Sequence, residues 1–401
     1  MDNAIALEDR YCAHNYAPLP VVLVKGEGVF VWDERGNRYL DMMSAYSAVS
    51  HGHCHPRLVD ALTVQARRLA VVSRAFYSDR LAPFLQRLCE MTGQDMALPM
   101  NTGAEAVETA LKAARKWAYT VKGVAPDRAE VIVCENNFHG RTIAIVGMSS
   151  EAQYREGFGP FPPGFKIIPY GDAAALAAAI TPDTAAFLVE PIQGEGGIVI
   201  PPQGYLVECA RLCKENNVLL LCDEIQTGLG RTGRLFASDH EAVKPDGLIL
   251  GKALGGGLLP VSAFLARGEV MAVFQPGDHG STFGGNPLAA AVALEALEII
   301  EQDNLAERAM ELGAHFMAGL KDISSPLIKE VRGKGLLIGM EVHAERIAAR
   351  RVCEALMEQG ILSKETHDTV IRFAPPLVVT REQLDWALAQ IRHVLDVLGG
   401  D

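Results

Sequence analysis

The sequence predicts an α/β protein: a mostly parallel sheet covered by helices, with a smaller α+β domain after it. Three observations predict it. Between about residues 95 and 270, short apolar runs bounded by turn residues alternate with amphipathic stretches, and the runs read as buried strands. The Gly- and Pro-containing segment 277–287 ends that pattern, and helical periodicity dominates beyond it. At roughly 150 residues per domain, a chain of 401 residues makes two or three domains.

Taken in order, residues 1–50 hold two strand-like runs, 21–24 and 29–32, that do not fit the later repeat and are expected to pack against the small domain. The large domain is expected over 51–285. Its first clear helix, 105–119, sets Val107, Ala110, Leu111, Ala114 and Ala118 on one stripe, with Glu108 four residues before Lys112 on the polar side. Strands follow at 131–134, 185–189, 218–222, 248–250 and 261–265, and the amphipathic run 205–215 supplies the crossover that a parallel pair requires. The small domain, 286–401, shows helical patterns at 288–300, 305–320, 348–359 and 381–398 around strand-like runs near 336 and 370. No internal repeat or low-complexity tract appears.

Composition narrows the function. Hydrophobic residues at 49% against 21% charged supply a core, and a net charge of -12 repels phosphate backbones and anionic lipid. A small-molecule partner is expected, with no nucleic acid and no membrane. No apolar run approaches the roughly 20 residues a bilayer needs. The N-terminus carries Asp2, Glu8 and Asp9 and no Lys before residue 25, unlike a signal peptide, so a cytoplasmic location is expected. Among eight scattered cysteines, Cys89, Cys134, Cys213 and Cys222 sit in apolar or helical contexts, as reduced core thiols do.

Three motifs point elsewhere. GLGRTG (228–233) matches a dinucleotide fingerprint, but DEIQT separates it from the strand and no helix start follows, which weakens a nicotinamide dehydrogenase. GLILGK (247–252) is one residue short of a P-loop and is followed by Ala253 where a magnesium-binding hydroxyl belongs. His51, His53, Cys54 and His55 could suggest a zinc-binding module but lack ligand spacing and a second cluster, so no metal is expected.

The positive signal lies at strand ends. Asp223 follows the run 218–222 and Lys252 follows 248–250, so both emerge at the carboxyl edge where open α/β sheets bind ligands. Asn101-Thr102-Gly103 precedes a helix whose free N–H groups and dipole favour a phosphate. An amine to bond an aldehyde, a carboxylate to keep a pyridine nitrogen protonated and a phosphate cradle are three anchors of pyridoxal 5'-phosphate.

With these stand AHNYAPLPV (13–21), SAYSAVSHGHCHP (44–56), PMNTGAEAVETA (99–110), NFHGRT (137–142), EPIQGEGG (190–197), DEIQTGLGRTG (223–233), GKALGGG (251–257), HGSTFGGNP (279–287) and IRFAPPL (371–377). In these motifs the chain resembles the class III (ω) aminotransferases of pyridoxal phosphate fold type I, most closely those acting on ornithine. The resemblance implies a mostly parallel seven-stranded sheet and a homodimer with its active sites at the subunit interface. Lys252 would bond the cofactor covalently and shuttle a proton, Asp223 pair with the ring nitrogen, Gln226 bond the ring hydroxyl and Phe138 stack on the ring. Thr102, Gly103 and Ala104 would hold the phosphate, joined by Thr282 of the neighbouring subunit.

For substrate, the resemblance assigns Tyr16 to the α-amino group of L-ornithine, Arg141 to its α-carboxylate, Tyr46 to the pocket wall, and Arg372, masked by Glu195, to the α-carboxylate of 2-oxoglutarate. L-Glutamate would be a product. A departure is Phe283, where many relatives carry Tyr. Acetylornithine aminotransferase is the near alternative, and Tyr16 would be the wrong partner for its acylated substrate.

Overall fold

The computed structural model describes residues 4–400. Strands β1 (Leu23–Glu27), β2 (Phe30–Asp33) and β3 (Arg38–Asp41) form an antiparallel ladder near the N-terminus. The central sheet is built from β4 (Met96–Met100), β5 (Glu130–Cys134), β6 (Phe165–Ile168), β7 (Thr184–Val189), β8 (Leu219–Asp223), β9 (Gly247–Leu250) and β10 (Ser262–Ala266). Its order is β4-β10-β9-β8-β7-β5-β6. Side chains of the middle strands are buried on both faces: Val131, Val133, Ala186 and Leu188 pack under one helical layer, Ile132, Phe187, Leu220 and Cys222 under the other. A sheet covered twice reads as continuous apolar runs, which is why these strands were visible in the sequence.

Three features differ from expectation. β10 runs antiparallel to β9 and to β4. Only residues 251–261 join β9 to β10, with a single 3-10 turn at Lys252–Gly255, and a parallel return needs a dozen or more residues with a crossover. β4 and β6, which the apolar runs did not reveal, form the two edges of the sheet. Cys89 is only partly buried, while Cys134, Cys213 and Cys222 are buried.

Downstream, β11 (Ile328–Lys334), β12 (Leu337–Val342), β14 (Lys364–Thr366) and β15 (Val370–Phe373) make a second sheet of order β11-β12-β15-β14. Helices Pro287–Gln302, Leu305–Lys321, Ala349–Glu358 and Arg381–Gly399 lie in this part of the chain. A short strand, β13 (Ile361–Leu362), pairs in parallel with β3 and ties the N-terminal ladder to it. Among the described residues no helix is long and apolar enough to cross a membrane.

The helix Gly103–Trp117 opens on a capping box: Thr102 accepts from the Glu105 N–H, and the Glu105 carboxylate accepts from the Thr102 N–H at 2.7 Å. Its apolar stripe, Ala106, Val107, Ala110, Ala114 and Trp117, buries against the sheet. The cap aims its first turn toward the carboxyl ends of β5, β7, β8 and β9, where the chain leaves the sheet and loops are free to carry chemistry.

Candidate active site

Those four ends and the helix start build one cavity of about 190 Å³. β8 ends on Asp223, and Gln226 stands in the turn that follows. β9 leads to Lys252, β5 to Phe138 and His139, β7 to Glu190 and Glu195, and the helix start supplies Gly103 and Ala104. A Cβ on Gly103 would lie 2.9 Å from Ile225 Cδ1, so glycine lets the helix terminus seat against the β8 turn. A Cβ on Gly194 would lie 2.0 Å from Gln226 Oε1, so glycine there makes room for Gln226.

Lys252 is intermediate in exposure and adopts φ 45, the left-handed region that costs a side chain strain and clusters at functional sites. Burial of the side chain pulls the ammonium's pKa down, with Glu195 and Asp223 acting in the other direction. Asp223, 4% exposed, accepts from the Ile225 N–H at 3.1 Å and lies 2.6 Å from His139 Nδ1. Burial alone would depress the His139 pKa. The bond to Asp223 and its charge outweigh burial and raise it. Beside this pair, Glu190 accepts the N–H groups of Phe138 (2.9 Å) and Gly194 (3.2 Å), and burial pushes its carboxyl up to about 7. Sequence reasoning did not single out His139 or Glu190.

Next to the cavity, Arg372 Nη1 donates to Glu195 Oε1 at 2.5 Å, and Gln226 Nε2 donates to the same oxygen at 3.1 Å. Burial would raise the Glu195 pKa, but Arg372 and Lys252 hold it below the usual range. Tyr46 flanks this pair, its ring 4.7 Å from the Arg372 guanidinium and 6.0 Å from Lys252 Nζ. It belongs to a left-handed turn in which Ser44, Ala45, Tyr46 and Ser47 all have positive φ.

The remaining expected residues lie outside the cavity wall. Arg141 is exposed, its guanidinium 3.6 Å from the Tyr154 ring and 5.4 Å from that of Phe138, and among the described residues it is in no ion pair. Tyr16 is 75% exposed. The Thr102 hydroxyl is engaged by Glu105 in the cap. Thr282 is exposed, on a loop whose Ser281 hydroxyl accepts from Asn101 at 2.8 Å. In the HGHCHP turn, His51 bonds the Ala296 carbonyl and His53 the Asp41 carboxylate at 2.8 Å, so the two imidazoles serve separate structural partners.

The set fits pyridoxal 5'-phosphate: the Lys252 amine and the buried Asp223 carboxylate line one cavity, together with a helix start whose first-turn N–H groups have no partner within the helix. Residues 11–395 match the family model for aminotransferase class-III. The chain belongs to the class III aminotransferases. It is 61% identical over 390 residues to an ornithine aminotransferase of Geobacillus sp. (strain WCH70), covering 97% of each chain. It superposes with a TM-score of 0.97 and 51% identity on an ornithine aminotransferase of Toxoplasma gondii described with partial occupancy of PLP at its active site, covering 98% of this chain and 93% of that one. An acetylornithine aminotransferase of Elizabethkingia anophelis superposes at 0.88 with 49% identity, covering 98% and 97%. This class III chain is a PLP-dependent transaminase of fold type I, with the seven-stranded sheet as its large α/β layer.

Proposed function

We infer that the enzyme moves the δ-amino group of L-ornithine to 2-oxoglutarate, giving L-glutamate and glutamate 5-semialdehyde, which cyclises to pyrroline-5-carboxylate. The observation that carries this reading is the contrast between two arginines: Arg141 stands free of ion pairs among the described residues, while Arg372 is held by Glu195 at 2.5 Å. An ω-amino donor needs one guanidinium for its α-carboxylate and needs the nearer one masked, or it would present its α-amino group instead. The ornithine aminotransferases among its relatives support the same choice of substrate.

Lys252 would hold the cofactor covalently, Gly103 and Ala104 its phosphate with Thr102 capping their helix, and Asp223 its ring nitrogen. Phe138 would cover a ring face and Gln226 meet the ring hydroxyl. When bound, PLP supplies an acceptor for the electron pair left when a C–H bond beside the reacting nitrogen breaks. Once the substrate's δ-amino group has displaced it from the cofactor, the freed Lys252 amine would take the proton from the substrate's δ-carbon; burial, by lowering its pKa, favours the neutral form that this requires. Tyr16 meets the α-amino group and Arg141 the α-carboxylate, with Tyr46 as the pocket wall. In the second half-reaction the five-carbon diacid takes Arg372 from Glu195. A second copy of the chain would bring Thr282 to the phosphate, making a homodimer the working unit, and free buried thiols such as Cys209 and Cys353 support a reducing, cytoplasmic setting.

The test is the visible absorption of the purified protein before and after adding ornithine. A yellow enzyme bleached by ornithine but not by N-acetylornithine is expected. A colourless protein, or preference for N-acetylornithine, would overturn the assignment.

A further inference from the structure

Arg231, in the GLGRTG loop that the cofactor does not use, is among the described residues the bulkiest fully buried side chain, at 0% exposure. Its Nη1 donates to the carbonyls of Leu336 (3.0 Å) and Pro375 (2.6 Å), and its Nη2 to Ser50 Oγ (3.0 Å). Its own carbonyl accepts from the Leu336 N–H at 3.1 Å. Among the described residues it has no ion pair, and Asp41 acts on it only through its field. A buried guanidinium without a bonded carboxylate is expensive to keep, so a hydrophobic side chain would fill this volume better if filling were its task.

What the fork joins is informative. Ser50 Oγ passes the contact on to the Ser47 carbonyl at 2.9 Å, the last residue of the left-handed turn that carries Tyr46. Four consecutive non-glycine residues at positive φ persist only where their surroundings over-determine them. Pro375 lies two residues beyond β15, the strand that carries Arg372. Two backbone bonds cross between the same segments, Ala374 N–H to Met42 O at 2.7 Å and Leu377 N–H to Ser50 O at 2.8 Å. The Tyr46 ring and the Arg372 guanidinium, carried by the two joined segments, meet 4.7 Å apart.

We propose that Arg231 is a positioning residue that locks the Tyr46 turn and the Arg372 strand end into one register, and so sets the site's affinity for the carboxylate of its diacid substrate. Lysine cannot replace it, because a single ammonium on a flexible stem does not span three acceptors in a fixed plane. The proposal rests on the reading above that Arg372 takes 2-oxoglutarate.

The test uses the holoenzyme and two variants. Ser50→Ala removes one prong and leaves the charge in place; Arg231→Lys removes the fork. Steady-state KM and kcat are measured per cofactor-loaded site, with loading read from absorbance. The expected result for Ser50→Ala is a rise of about tenfold in KM for 2-oxoglutarate, the scale of one hydrogen bond to a charged group, with kcat and cofactor loading near wild type. Arg231→Lys should raise KM further, and if it fails to fold, Ser50→Ala carries the test alone. A purely structural role predicts lower yield and melting temperature with unchanged KM per loaded site, and that outcome overturns the proposal. Failure of the wild-type enzyme to use 2-oxoglutarate would overturn the substrate reading, and the proposal with it.

Discussion

Both Asp223 oxygens are occupied within the chain: Oδ1 takes the Ile225 N–H and Oδ2 faces His139 at 2.6 Å. That fixes the carboxylate's plane before any cofactor nitrogen meets it, which is how a charge becomes preorganised. Asp223→Asn keeps the shape and loses the charge, so turnover should fall by at least about a hundredfold, measured as kcat with saturating ornithine. The same variant has a signature in stability. The His139 pKa is raised above 6.5, so its bond to Asp223 contributes fully below that value and is lost as pH rises through the raised one. Melting temperatures of the cofactor-free protein should therefore fall with rising pH less steeply in Asp223→Asn than in the wild type, the buried Glu190 carboxyl, pushed up to about 7, adding a fall of its own in both. Glu195→Ala unmasks Arg372, so it should slow the ornithine half-reaction and yield some α-transamination while largely sparing glutamate; equal slowing of both donors in single-turnover runs would make Glu195 a general support. Lys252 and Asp223 were legible because Asp223 directly follows an apolar run and Lys252 follows one after a single glycine, Gly251. Glu190 carried the same signal, directly following the run 185–189, and was passed over; His139 carried none, since a lone histidine in a loop has no spacing signal and its burial exists only after β5, β7 and β8 are assembled.

At the level of elements, the helix Gly103–Trp117 shows how local sequence builds a site. The box from Thr102 to Glu105 sets the first turn, and the Glu105 carboxylate also takes the Asn101 N–H at 3.2 Å. Burial would raise the Glu105 pKa, but the hydrogen bonds it accepts from Thr102 and Asn101 lower it overall, so it serves as an anionic cap at neutral pH. Glu105→Ala should cost about 1 kcal/mol of stability and, by letting the first turn fray, weaken binding of pyridoxal phosphate more than that of pyridoxal, which lacks the phosphate. Equal weakening of both would place the effect in the ring pocket. The same logic explains which strands were legible. β5, β7, β8 and β9 each contain an unbroken apolar run, 131–134, 185–189, 219–222 and 248–250, whereas β4 holds Pro99 and β6 is four residues long with Lys166 in it. Proline is tolerated on β4 because that strand is an edge, where a missing N–H removes no required bond. Edges need neither continuous apolarity nor length, so pattern reading passes over them.

On the scale of the whole molecule, exposed side chains of two loops support the proposal that a second copy completes the site. Phe283 is 55% exposed next to exposed Thr282, and Phe76 and Tyr77 project from the loop at 73–80. The loop 278–281 is itself pinned to its own cradle helix, by Lys112 to the Asp278 carbonyl and His279 Nδ1 and by Asn101 to Ser281. Thr282 is therefore presented from a braced base while lying off the wall of its own cavity. Whether it serves its own phosphate or a partner's is decided by mixing two defective chains. Lys252→Ala abolishes its own site and keeps Thr282; Thr282→Ala keeps Lys252 and weakens whichever phosphate it touches. If Thr282 acts across the interface, a hybrid dimer contains one site with both residues intact, and random reassortment restores roughly a quarter of all sites to wild-type cofactor affinity. If it acts within its own chain, no hybrid contains a complete site and the mixture recovers nothing. Recovery of ornithine turnover at limiting cofactor after unfolding and refolding the mixture is the expected outcome, and its absence, with hybrids verified by mass, would return Thr282 to its own chain.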